Sequence, residues 1–231
     1  MTPTPQPLNM HRDRLKRLFE RISKNVCTFG MDIEAELKTY SDNLYAQHFT
    51  SDEPCFDEDT YKAEQYEFYE DDLRSAETDW AAFAVTALYH HWERSVKWLI
   101  ARKCLPYQLD EVLKADLNKL RSLLKSGHLP STCEEALDVL DCARLIANTV
   151  KHGKGSSADK LRGECPDLFK RPWGDDIGMP LLSNHSLHVI WVRQEHVEST
   201  RRAIEQFWDS LPEDYFPPTP MTTGTFLDPD L

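Results

Sequence analysis

With 231 residues, 40% of them hydrophobic, the chain is long enough to bury a sizeable core. Its formal net charge of -12 excludes a general nucleic-acid coat, because nonspecific binding draws on many Lys and Arg contacts to phosphate; any RNA site must be local. The six cysteines, Cys27, Cys55, Cys104, Cys133, Cys142 and Cys165, form no CxxC and flank no His pair at ligand spacing, so they read as reduced packing residues.

The opening "MTPTPQPLNM" has neither the apolar core nor the cleavage pattern of a signal peptide. Residues 1–12 therefore read as a disordered lead-in, and a cytoplasmic location is expected. From Leu15 the apolar residues Leu18, Ile22, Val26, Phe29, Ile33, Leu37, Tyr40 and Leu44 follow three and four apart, which predicts one long amphipathic helix. Gly30 is its weak point, since an interior glycine costs about 1 kcal/mol relative to alanine. Pro54 and a cluster of acids then place a loop between Phe49 and Asp59.

Thr60 to Lys103 contains no proline or glycine and predicts a central helix, with Trp80, Phe83, Ala84, Ala87, Leu88, Trp92, Val96, Leu99 and Ile100 as its core stripe. Its acidic, aromatic first half reads as a solvated face, with a partner surface as the alternative. The apolar run from Trp80 to Tyr89 is far short of the roughly 20 residues that a membrane span needs, so no membrane segment is expected.

Leu109 to Leu124 gives another helix, with Leu113, Leu117, Leu120 and Leu124 in register, stopped by Gly127 and Pro130. The next begins at Ser131 or Thr132 as N-cap, with Glu134 or Glu135 completing a capping box, and ends at Gly153. A short helix near Ala158 to Leu161 follows, and "LHVIWV", Leu187 to Val192, reads as a short strand or extended edge. A final helix from about Glu195 to Leu211 carries Val197, Ile204, Phe207, Trp208 and Leu211 on one side. These elements predict an all-α helical bundle of long antiparallel helices with a short C-terminal extended segment and final helix. The bundle would span residues 13–155, an appendage packed on it 156–212, and a mobile tail 213–231.

The chemistry concentrates in "RLIANTVKHGKG", Arg144 to Gly155. At about 100° per residue, with Arg144 at zero, Lys151 lies at about -20°, Asn148 at about 40°, Asp141 at about 60° and His152 at about 80°. They share one face, beside an apolar stripe of Ala136, Val139, Leu140, Ala143, Ile146, Ala147 and Val150. A guanidinium, an amide and an imidazole in such a row can hold a phosphodiester and take a proton from a neighbouring hydroxyl, the parts a metal-free ribonuclease needs. Imidazole suits the proton step and Arg suits two-pronged phosphate binding. The plainer reading is that Lys151 and His152 are last-turn cations that complement the helix dipole.

"TALYHHWERSVKWLI" followed by a helix ending "ARLIANTVKHG", in an otherwise helical chain, resembles the HEPN superfamily of helical ribonucleases and RNA-binding proteins, common in toxin and antiphage systems. The likeness runs from roughly Trp80 to Gly153. The family's mark is an arginine, four to six residues, then a histidine, often with a polar residue directly after the arginine. Asn148 and His152 fit the latter part of it, whereas Ala147 precedes Asn148 and seven residues stand between Arg144 and His152. The resemblance implies a homodimer with a composite, metal-free and cofactor-free site on its two-fold axis. It implies His152 as general base or acid, Arg144 as phosphate clamp, Asn148 as orienting donor, and Lys151 and Lys154 as seats for the RNA backbone. The competing reading is a non-catalytic module that binds a protein partner or antitoxin, which the acidic charge favours.

The remaining candidates are weaker. His90 and His91 point about 100° apart on a helix and make a poor metal pair. Glu93, at the border of the core stripe, needs a partner; Arg144 is the expected one, a lysine of the first helix the alternative. His185, His188 and His196 match no metal signature, and "GKGSS", Gly153 to Ser157, lacks the order of a phosphate loop, reading instead as a cap followed by an N-cap.

Overall fold

The computed structural model describes residues 17, 32–48, 57–101, 109–125, 129–170, 190–212 and 215. The lead-in, Gly30, the Pro54 loop, Cys27, Cys55, Cys104, His185 and His188 lie outside them, as does the tail except Tyr215. The fold is all-α, with seven helices and no strand among the described residues.

Helix α1 runs Ile33–Tyr45. It starts where Asp32 turns its carboxylate back to accept from the Ala35 N–H at 3.1 Å, an N-cap that satisfies one of the helix's orphan donors. The expected unbroken helix from Leu15 therefore does not pass through Asp32. Ile33 and Leu37 pack with Leu73, Tyr66 and Tyr69 in a small satellite core. Tyr40 stacks on Tyr69 with ring centroids 3.9 Å apart, and the Tyr69 hydroxyl donates to Glu36 at 3.0 Å. The acidic, aromatic half of the central helix is thus in part the seat of α1, an intramolecular use that charge alone did not reveal.

That central helix, α2, runs Glu58–Ala101. At 1.5 Å per residue its 44 residues span about 66 Å, and only the second half faces the main core. Ala81, Ala82, Ala84, Val85, Leu88, Tyr89, Trp92, Val96, Leu99 and Ile100 are buried there. Trp80 and Phe83, expected in this stripe, are 48% and 61% exposed. At about 100° per residue, Trp80 and Phe83 point roughly 120° and 180° away from Trp92, which lies at the middle of the buried side, so the rings fall on the opposite flank while Ala81, Ala82 and Ala84 face the core.

The predicted helix from Leu109 to Leu124 is two: α3, Leu109–Lys114, and α4, Leu117–Lys125. Asp116 breaks it, its side chain accepting from the Lys119 N–H at 2.8 Å as the cap of α4. The break resets the register, so Val112, Leu117, Leu120, Leu123 and Leu124 are buried while Leu109 and Leu113 stay exposed.

Helix α5, Ser131–His152, packs against both α2 and the final helix, α7, Gln194–Ser210. Between them come α6, Ser156–Glu164, and a 3-10 turn, Pro166–Phe169. The predicted capping box at the start of α5 does not form. Pro130 occupies the N-cap with its backbone carbonyl accepting from Cys133, while Glu134 pairs with Lys125 at 2.9 Å and Glu135 meets Gln206. The described end of the expected strand, Ile190 to Val192, is buried but forms none; Trp191 donates its N–H to the Leu168 carbonyl at 2.6 Å. One cluster of buried side chains joins α2, α5 and α7, with Trp92 meeting Phe207 edge to face at 5.4 Å.

Candidate functional site

Helix α5 is buried on most of its circumference. Cys133, Ala136, Leu137, Leu140, Ala143, Leu145, Ile146, Ala147 and Thr149 are all in the core. Leu137, Leu145 and Thr149 lie outside the expected apolar stripe, whereas Val139 and Val150, expected in it, are exposed. Helices cover α5 on more than one flank, so the core wraps round toward the polar face instead of stopping beside it.

Arg144 and Asp141 sit within that wrapped face, each about one-fifth exposed. Arg144 donates from Nε to one Asp141 oxygen at 2.7 Å, and its Nη2 lies in ion-pair contact at 2.7 Å from the same oxygen. Lys160, reaching from α6, donates to the other at 3.2 Å. Burial acts to raise the Asp141 carboxyl, but the hydrogen bonds from Arg144 and Lys160 outweigh it and hold the group below the usual carboxylate range. The arrangement is a cation–carboxylate–cation bridge joining α5 to α6.

The expected Glu93–Arg144 pair is not formed. Glu93 instead takes Lys97 at 3.1 Å and His90 at 3.3 Å, both on its own helix and within one turn, while Asp141 stands one turn from Arg144. Tyr89, 2% exposed, was not among the sequence candidates. Burial raises its phenol, Glu93 adds to the rise, and Arg144 opposes it, so the hydroxyl lies in the field of both charged groups.

The C-terminal end of α5 differs in character. Asn148 is half-buried, and Lys151, His152 and Lys154 are exposed. Gly153 ends the helix as expected, with φ 67 and its N–H returned to the Thr149 carbonyl at 2.8 Å. Among the described residues, none of Asn148, Lys151, His152 and Lys154 has a side-chain hydrogen bond or ion pair. Along the axis Arg144 and His152 are about 12 Å apart, with Asn148 midway.

His196 has a structural place: its Nδ1 accepts from the Arg193 N–H at 3.1 Å at the start of α7, and burial lowers its pKa. Among the described residues no three His, Cys, Asp or Glu side chains gather in a way that could hold a metal ion. No described helix is long and apolar enough to cross a membrane. A groove of about 330 Å³ between α5 and α7 is lined by Val139, Glu198 and Arg202, on a flank of α5 turned about 140° away from Arg144.

Sequence reasoning could have found Asp141 as the partner of Arg144, since an acid and an arginine three apart on a helix are neighbours. Lys160 carried no such signal, because it reaches Asp141 only after the chain reverses at Gly153 to Gly155. No family model, curated protein or solved structure matches this chain.

Proposed function

We propose that the chain is a HEPN-like helical protein that binds RNA and, as a homodimer, cleaves it by metal-independent transesterification in a toxin or antiphage defence setting. One observation carries this reading: the cationic end of α5. Lys151 and Lys154 stand in solvent, close in the chain to Asn148 and His152, with no carboxylate paired to either lysine among the described residues, in a chain of net charge -12. Unneutralised cations gathered at one place on an acidic protein make a local anion site.

In a single copy Arg144 and His152 stand about 12 Å apart along the axis, and Arg144 is turned to Asp141. The reaction would therefore take them from two copies meeting at a two-fold axis. The 2'-hydroxyl oxygen would bond to phosphorus and pass its proton to His152, while the bond to the 5'-oxygen breaks and that oxygen is reprotonated, leaving a cyclic phosphate. Arg144 and Asn148 would hold the non-bridging oxygens, and Lys151 and Lys154 the flanking backbone.

The test is incubation of transfer RNA and a defined single strand with the chain in EDTA, wild type against His152→Ala, with binding and oligomeric state measured in parallel. Cleavage that persists in chelator and is lost in the variant is the expected result. Binding without cleavage would reduce the proposal to an RNA-binding protein, and the absence of both would refute it.

A second reading, a non-catalytic protein-interaction module, draws on the other unexpected surface. Trp80, Phe83 and Trp98 are all about half exposed along one face of α2, more aromatic area than solvent contact alone favours. Loss of partner capture in Phe83→Ser, with RNA binding absent from the wild type, would select it.

A further inference from the structure

Two of the cysteines do more than fill space. Cys142, midway along α5, and Cys165, at the C-cap of α6, bring their sulfurs within 3.5 Å. Both are partly accessible, whereas the third described cysteine, Cys133, is buried with its thiol against the Phe207 carbonyl. A disulfide has its sulfurs about 2.05 Å apart, so closing this pair needs a movement of about 1.5 Å.

Cys165 is placed to make that movement. It belongs to no helix interior: its φ of -134 and ψ of 65 make the joint between α6 and the 3-10 turn that opens with Pro166. Its N–H bonds the Leu161 carbonyl at 2.7 Å, so a small rotation at the joint shifts the thiol without unwinding either element. Cys142, by contrast, is fixed on a helix in the core.

We infer that Cys142 and Cys165 form a reversible, peroxide-driven disulfide that staples α6 to α5. Hydrogen peroxide transfers one oxygen to the Cys165 thiolate sulfur, giving a sulfenic acid; the displaced hydroxide takes up the thiol's proton as water. The Cys142 sulfur then attacks the sulfenic sulfur, its proton leaves with the displaced hydroxide as a second water, and the S–S bond closes. Two thiols and one peroxide become one disulfide and two waters, the two electrons passing from sulfur to the peroxide bond. Burial, with the Cys165 thiol beside it, pushes the Cys142 thiol up to about 12, so Cys142 is not the sulfur that meets peroxide first.

The staple would enclose the Gly153 to Gly155 joint and all of α6, the element that carries Lys160 to Asp141. Closing a loop of this size removes freedom from the unfolded chain, so oxidation should raise Tm by roughly 5 to 10 °C. It should also slow amide exchange across α6.

The experiment uses the full chain, reduced and then exposed to stoichiometric hydrogen peroxide, with free thiols alkylated before peptide mapping by mass spectrometry. A crosslinked peptide pair joining Cys142 to Cys165, reversed by dithiothreitol and accompanied by the rise in Tm, is expected. Full alkylation of both thiols, over-oxidation of Cys165, or linkage of either to Cys27, Cys55 or Cys104 would overturn the inference. A crosslink without a rise in Tm would overturn the staple. Cys142→Ser and Cys165→Ser should each abolish the link, and the wild-type map stands if either variant fails to fold. None of these readouts involves RNA.

Discussion

Asp141→Asn separates the stability of the α5–α6 corner from its proposed use. The carboxylate receives Arg144 at 2.7 Å, with both side chains about one-fifth exposed, and Lys160 at 3.2 Å, the lysine about half exposed. A hydrogen bond to a charged group contributes about 1.5 to 3 kcal/mol when shielded, and an exposed ion pair about 0.2 to 1 kcal/mol. Taking the lower end of the first for Arg144 and the middle of the second for Lys160, the substitution should cost about 2 kcal/mol at neutral pH. The sign of its pH dependence follows from the depressed carboxyl. Asp141 stabilises the fold above its unfolded value, close to 3.8, and that contribution is lost as pH falls through the lower folded value. Urea unfolding of wild type and variant between about pH 7 and pH 3 should show a gap that closes on the acid side. RNA affinity should move the other way, because a guanidinium released from Asp141 is free for phosphate, and a gain of three- to tenfold corresponds to roughly 0.7 to 1.4 kcal/mol. A cost that is the same at both ends of the pH range would refute the electrostatic account. Unchanged or weaker RNA binding alongside the stability loss would remove Arg144 from the proposed site.

Thr149→Val should stabilise the chain by about 1 kcal/mol, read as a higher urea midpoint at unchanged slope, because the buried Thr149 hydroxyl has no hydrogen-bond partner among the described residues; a loss of stability would mean that the hydroxyl is satisfied. Phe83→Ser should shift stability by no more than about 0.5 kcal/mol, whereas Phe207→Ala should cost about 3 to 5 kcal/mol; comparable costs would place Phe83 in the core after all. Burial holds His196 below its ordinary value, so its neutral form is favoured in the fold and stability falls as pH drops below about 6.5, where the unfolded chain takes the proton first. His91, lowered by burial and by Arg94, acts in the same direction, so His196→Asn should lessen the acid loss of Tm between pH 7.5 and 5.5 without removing it, and an unaltered loss would count against the assignment.

What could be read in the sequence, and what could not, divides along the distance over which the deciding force acts. Helix content follows from the three-and-four spacing of apolar residues, and the end of α5 follows from Gly153, whose positive φ is a property of one residue. The caps at Asp32 and Asp116 are equally local, yet apolar spacing ran through both, since Leu113, Leu117 and Leu120 look continuous until an aspartate's competing hydrogen bond is considered. Which face of α2 is buried is a different kind of question. Periodicity marks an apolar side, but the choice between Ala81–Val85 and Trp80–Phe83 depends on how closely other helices approach, and that is set by chain far away. The candidate site combines both kinds of information. Arg144, Asn148 and His152 are aligned by one helix and could be listed in advance, but whether Arg144 is available depends on Asp141, and the hold on Asp141 depends on Lys160 from α6. The two ends of the row consequently differ: the Arg144 end is built into the fold's own electrostatics, and the His152 end is left to solvent. A function that needs both ends must first loosen the bridge at Asp141, so an anion of the kind proposed would have to compete with a carboxylate already in place. That competition makes Asp141, more than His152, the residue whose replacement most directly tests whether this corner serves the fold alone.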